Sequence, residues 1–187
     1  MAPAGKRIGA SLALLTLGAS LALATGPGTT AALASCPHAN SHPHQTSLAN
    51  LRQAMGCLVN NKRDDHGLSR LKDNGRLARA ARRHTKAMLR DDCFKHRCPG
   101  EPALGKRIKR SGYLQGAKHY YFAEDIGFDR TPKRMIQRLM NDRYNRRNIL
   151  NPDFRDIGVG AGWGAPKKSR DDSKYATYTI LFAWRRS

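Results

Sequence analysis

The chain has 187 residues, 34 of them Lys or Arg and 14 Asp or Glu, for a formal charge of +20 with 40% hydrophobic residues. That length holds one domain with a short extension, and ordinary hydrophobicity with a single long apolar run excludes collagen-like, coiled-coil and multi-span membrane architectures. The cations are 22 arginines and 12 lysines, a bias that suits bidentate contact with phosphate or carboxylate, so anionic partners are the first question.

Lys6 and Arg7 precede an uncharged apolar run, Ile8 to Thr25, which Gly26-Pro27 breaks ahead of the small-residue site Ala32-Leu33-Ala34. This pattern predicts a signal peptide over residues 1–34, cleaved after Ala34. An uncleaved membrane anchor is the alternative reading of the run. Leu33-Ala34-Ser35-Cys36 also resembles a lipobox, which would anchor the protein by a lipid on Cys36. The polar stretch Gly26 to Thr30 and the odd cysteine that lipidation would leave favour secretion instead. Loss of the leader removes only Lys6 and Arg7 from the charge balance and leaves no transmembrane segment.

Four cysteines in an exported chain allow three disulfide pairings. The expected pairs are Cys36–Cys57, tying a loose N-terminus to a helix for about 3 kcal/mol in the loop-entropy model, and Cys93–Cys98, clipping a short loop. Cys93, His96 and Cys98 could alternatively contribute to a zinc site, although C-x₂-H-x-C has no clear fourth ligand.

Residues 35–46 hold His38, His42 and His44 among Ser, Pro and Asn without periodicity, and predict an irregular lead-in with solvated histidines. Ser47 as N-cap, followed by Leu48, Leu51, Met55, Leu58 and Val59 at helical spacing, predicts a first helix that stops near Gly67. A second runs from about Gly75 to Arg90 with Leu77, Ala80, Ala81, His84 and Met88 on one apolar face, where His84 reads as a satisfied core residue. A short helix is expected from about Ala103 to Arg110. Another begins at Thr131-Pro132 and turns Met135, Ile136, Leu139 and Met140 inward. Asp156 to Gly164 and Tyr175 to Trp184 read as strands, joined as a hairpin by the polar loop Ala165 to Ser173, with a weaker strand around Phe122 to Phe128. Helices first and strands later imply an α+β domain with an antiparallel sheet.

Local motifs then fall in a recognisable order. Leu58-Val59-Asn60 with Arg63 and His66-Gly67-Leu68, Arg76 to Ala81 with His84 and Met88, Phe94-Lys95-His96 with Pro99-Gly100, Gly112-Tyr113, Ala123-Glu124-Asp125-Ile126, Arg146-Arg147-Asn148-Ile149-Leu150 and Ile157-Gly158-Val159-Gly160 follow one another. The series resembles the CAP domain family of cysteine-rich secretory proteins, venom antigens and plant pathogenesis-related proteins, in its bacterial form, over residues 47–187. The resemblance implies an α-β-α sandwich with a central antiparallel sheet and a cleft lined by two histidines and two acids, able in some members to hold a divalent metal. His96 matches the first histidine and Glu124 the glutamate of the G-E-N motif, which reads Ala123-Glu124-Asp125 here. Asn145 stands where the second histidine is expected, and the helix that should supply the second acid has none. With an amide oxygen in place of imidazole, such a site would bind a divalent metal weakly at best, and no cofactor is assigned.

Cations form a second pattern. Arg76, Arg79, Arg83, Lys86 and Arg90 share an outward stripe of the second helix with no acid four residues away, and Lys133, Arg134 and Arg138 repeat the habit on the later helix. The expectation is a secreted, monomeric, non-enzymatic module whose basic surface associates with anionic envelope polymer or lipid. The alternative is a metal-assisted hydrolase using His96 and Glu124 in the cleft. Nucleic acid is disfavoured, because no binding motif is present and export separates the chain from such targets.

Overall fold

A computed structural model describes residues 35–166 and 172–187. The expected leader and the middle of the expected hairpin loop lie outside the described residues. In chain order the α-helices and strands are α1 (Leu48–Asp64), β1 (Lys72–Asp73), α2 (Gly75–Arg90), α3 (Leu104–Arg110), β2 (His119–Asp129), α4 (Pro132–Asn141), α5 (Arg143–Ile149), β3 (Asp156–Trp163) and β4 (Ala176–Arg186), with a 3-10 turn at Asp172–Lys174 before β4. No described helix is long and apolar enough to cross a membrane.

The three long strands pair antiparallel, β3 with β4 and β4 with β2, and the sheet order is β1-β3-β4-β2. The expected weak strand around Phe122 to Phe128 is longer, because His119 to Asp129 pairs along its whole length with Arg186 to Ala176. Two elements were not foreseen. β1 is a two-residue edge strand parallel to β3, too short to show a period. α5 carries three arginines and two asparagines in seven residues and begins on a cap, Asp142, whose carboxylate accepts from the N–H groups of Tyr144 and Asn145.

Alternation along β3 builds both layers. Ile157, Val159 and Ala161 face one way and join Tyr178, Ile180 and Phe182 of β4 with Leu51, Met55 and Val59 of α1 and Met135, Ile136 and Leu139 of α4. Gly158, Gly160 and Gly162 face the other way, against α2. A Cβ on Gly160 would stand 2.5 Å from the Ala81 carbonyl carbon, and one on Gly158 would collide with the Ala78 nitrogen. Glycine therefore lets the α2 backbone lie directly on the sheet. Leu77, Ala80 and Ala81 of α2 bury there against Leu181 and Ala183, with Ile108 of α3 and Tyr113 completing the layer. Helices on both faces of one sheet form the α-β-α sandwich.

Polar ties explain the first-helix signature. The Asn60 amide donates to the Leu71 carbonyl at 3.0 Å and accepts the Leu71 N–H at 2.7 Å, mimicking a strand pair. Arg63 is fully buried and donates to the carbonyls of Ser69, Ile149 and Asn151, each at 2.8 Å. A buried guanidinium without those acceptors would cost several kcal/mol; with them it joins α1 to the end of α5.

Both expected disulfides are formed, Cys36–Cys57 and Cys93–Cys98. Cys93 and Cys98 are consequently bonded to each other, which corrects the alternative zinc reading. The Cys36 sulfur is likewise engaged, and a lipid thioether would need the same atom. The lead-in is irregular as expected but docked: the Lys133 N–H donates to the Ala39 carbonyl at 2.8 Å, and the His44 ring lies 4.8 Å from that of Trp163.

Candidate functional site

Glu124 and Asp125 are neighbours on β2, so the pleat sends their side chains to opposite faces of the sheet. Glu124 pairs in register with Leu181 and faces the α2 layer; Asp125 pairs with Ile180 and faces the α1 layer. The two carboxylates thus enter different environments.

Glu124 is buried, and both its oxygens are taken. Arg107 of α3 holds them bidentately, Nη1 to Oε2 at 2.8 Å and Nη2 to Oε1 at 3.1 Å, while His96 Nδ1 lies 3.0 Å from Oε1. Arg107 Nη2 also donates to the His96 carbonyl at 2.7 Å, locking the loop that the Cys93–Cys98 disulfide closes. Burial pushes the Glu124 carboxyl up, but the hydrogen bonds from His96 and Arg107 and the guanidinium charge more than offset it, so its pKa lies below the ordinary value. The Glu124 hydrogen bond raises the His96 pKa. His96 itself is largely exposed, with 64% of its side chain open to solvent.

Beneath this pair lies a second one. His84, on the apolar face of α2, is fully buried, and its Nδ1 stands 2.8 and 2.9 Å from the two oxygens of Glu101. Glu101 also accepts the Cys98 N–H at 3.2 Å. Burial lowers the His84 pKa, and the Glu124 and Glu101 carboxylates only partly counter it. The hydrogen-bond pattern assigns a proton to Nδ1. Among the described residues His84 Nε2 has no hydrogen-bond partner, and it lies 3.8 Å from Glu124. The expectation of a satisfied core histidine therefore holds for one ring nitrogen only.

Asp125, on the other face, is fully buried; its Oδ1 accepts from Asn148 of α5 at 2.6 Å, and its Oδ2 has no partner among the described residues. Burial pushes its pKa up to about 7, against the Asn148 hydrogen bond.

A divalent metal does not fit these residues. Arg107 occupies the Glu124 carboxylate, and His96 has spent Nδ1 on the same group, which leaves its Nε2 and the amide of Asn145. Asn145 stands in the first turn of α5, its N–H bound to Asp142. Among the described residues no three His, Cys, Asp or Glu side chains are grouped to hold a metal. The set also offers a hydrolase little: a solvent-facing His96 backed by Glu124, and beside it cysteines already oxidised to a disulfide.

The cationic stripes divide. Arg134 and Arg138 each reach Asp129 at 3.0 Å, so the later stripe is partly neutralised by an acid from β2. The sequence count within the helix could not see it. On α2, Arg76 donates to the Gly112 carbonyl and Arg79 to that of Ser111, beyond the end of α3, while Arg90 pairs with its own C-cap, Asp91. These contacts correct the expectation of an entirely free stripe. Among the described residues Arg83, Lys86 and Lys133 pair with no acid.

Sequence reasoning missed Arg107, Glu101 and Asn148. Arg107 reads as one more cation in Lys106-Arg107-Ile108-Lys109-Arg110. Its place beside Ile108, the only apolar residue of that run, was the available signal for an inward face.

The model of the cysteine-rich secretory protein family (CAP) matches residues 58–180. The uncharacterized protein YkwD of Bacillus subtilis is 30% identical over 103 residues, 55% of this chain and 39% of that one; the chain thus spans about two fifths of its relative's length. Among solved structures, an extracellular protein containing an SCP domain from Bacillus anthracis superposes with a TM-score of 0.56 at 24% identity, covering 73% of this chain and 43% of the other. An outer surface protein of Borrelia burgdorferi superposes with a TM-score of 0.62 at 16% identity, over 77% and 99%. At these identities the structural likeness establishes the fold.

Proposed function

Because the chain belongs to the cysteine-rich secretory protein family, CAP, we propose that it is an exported, non-enzymatic binding module whose basic surface associates with anionic envelope polymer or lipid. The observation that carries this reading is the contrast between its two candidate surfaces. In the cleft, Glu124 is consumed by Arg107 and His96. On α2, exposed cations stand without acids to match them. Export is supported by the N-terminal pattern of residues 1–34, by two disulfides in a small domain, and by the extracellular and outer-surface descriptions of two structural relatives.

Attraction between an exposed cationic surface and a polyanion is screened by salt and releases counterions, so affinity falls steeply as ionic strength rises. Binding of the protein to an acidic polymer and to anionic vesicles, measured across a salt series, is expected to show that fall. Replacing His96 by Ala is expected to change affinity by less than about twofold, as a substitution away from the contact does. A protein that binds neither probe, or binds them without salt dependence, contradicts the reading. So does loss of binding in His96→Ala.

A further inference from the structure

Between α2 and the loop leading into α3 the surface folds inward into two adjoining recesses of about 280 and 420 Å³, which share Gly100, Glu101, Pro102 and Arg110. Their walls differ in origin and agree in charge. Arg83 and Arg90 rise from α2, two turns and about 10 Å apart, and Arg97, Lys106 and Arg110 rise from the loop and α3. All five side chains belong to exposed residues. The side chains of Arg83, Lys106 and Arg110 make no hydrogen bond or ion pair among the described residues, Arg97 spends its Nε on the Glu101 carbonyl, and Arg90 pairs with Asp91 at the end of its helix. The acid at the floor is already engaged: Glu101 holds His84 and the Cys98 N–H and keeps only 10% of its side chain exposed. Like charges facing each other across a recess repel, and among the described residues that line it the only acid is the engaged Glu101.

We propose that this two-walled groove is the ligand track of the basic surface and that it seats a linear phosphodiester polymer. The inference rests on the binding reading given above and names its site and its ligand. A groove favours a chain over a membrane, because a flat bilayer meets raised faces and cannot enter a recess. The spacing of Arg83 and Arg90 favours a polymer over a point ligand, since one small anion cannot bridge about 10 Å. Phosphate fits the two walls better than carboxylate does. A tetrahedral phosphodiester directs its two anionic oxygens to different sides, so guanidinium groups on opposite walls can each take one, whereas a planar carboxylate keeps its lone pairs in one plane and suits cations arriving from one side, as Arg134 and Arg138 of a single helix reach Asp129. The apolar stretch of floor from Ala80, Ala87 and Pro102 can receive the uncharged linking carbons.

The test titrates the full disulfide-bonded chain with poly(glycerol phosphate), poly(glutamate) and phosphatidylglycerol vesicles at one ionic strength. Two double variants are compared, Arg83→Gln with Arg110→Gln in the groove and Arg143→Gln with Arg147→Gln on α5; unchanged melting temperatures show that both are folded. The proposal expects the groove variant to lose about tenfold or more in affinity for poly(glycerol phosphate), and the α5 variant less than about threefold, because only the former loses phosphate contacts. Equal losses in the two variants overturn the groove and leave the general binding reading standing. Tighter binding of the native chain to poly(glutamate) or to vesicles overturns the phosphodiester assignment. Binding of the native chain to none of the three overturns both readings.

Discussion

Arg107 and Glu124 leave water together, and each is affordable only because the other is there. A buried carboxylate stripped of its guanidinium partner is an uncompensated charge, and removing one member of such a pair costs about 3–5 kcal/mol. Arg107→Met should therefore lower the free energy of unfolding in urea by about that amount and free the His96 loop at the same time. The pH dependence follows from the directions of the shifts. The folded pKa of Glu124 lies below its ordinary 4.5, so its contribution is present above that value and lost as pH falls through the folded one. His96 is raised above 6.5, so its smaller, solvent-screened contribution is present below 6.5 and lost as pH rises through its folded value. Asp125 has the opposite sign to Glu124. Raised from 3.8 to about 7, it costs stability progressively as pH rises across that interval. Asp125→Asn, which restores the third residue of the family's G-E-N motif, should raise the melting temperature at pH 8 relative to pH 4 by an amount corresponding to about 2–4 kcal/mol. Thermal melts of both proteins at the two pH values check this, and an equal shift at both values contradicts it.

At the scale of elements, the close approach of α2 to β3 organises the α2 layer of the sandwich and the cleft. Gly160→Ala places a methyl group against the Ala81 carbonyl, backbone that cannot rotate away, and should destabilise the fold by about 2 kcal/mol or more. Chemical denaturation reads that loss; a stability within error of the native chain would mean that α2 can lift from the sheet at little cost. Much of this layer was legible in the sequence. The apolar face of α2, the glycine-rich strand and the Thr131-Pro132 start of α4 are local signals, and each stands where its pattern puts it. What was not legible depends on distant partners. α5 has no apolar period and is held by the Asp142 cap and the single buried side chain of Ile149. β2 extends past its apolar stretch because β4 supplies eleven residues to pair with. Arg107 looks like a surface cation until α3 packs against β2, and Asp129 neutralises Arg134 and Arg138 from outside their helix. His96 and Glu124 were recognisable as motif residues, but nothing local indicated that an arginine would stand between them and a metal.

For the whole molecule, the charge of +20 takes on a distribution. Part is internal and structural, in Arg63 and Arg107; part is met by Asp91 and Asp129; and the remainder includes Arg83, Lys106 and Arg110 on the walls of a groove between α2 and α3. The expected loss of residues 1–34 would remove two of these cations and leave the groove untouched. On the proposed reading this basic surface, and not the cleft, carries the function. The measurement that tests it most directly is the affinity of the native protein and of His96→Ala for poly(glycerol phosphate) between about 50 and 200 mM salt. Parallel lines of log affinity against log salt are expected for the two proteins, both falling steeply. A flat line for the native protein, or a line that collapses only when His96 is replaced, would contradict it.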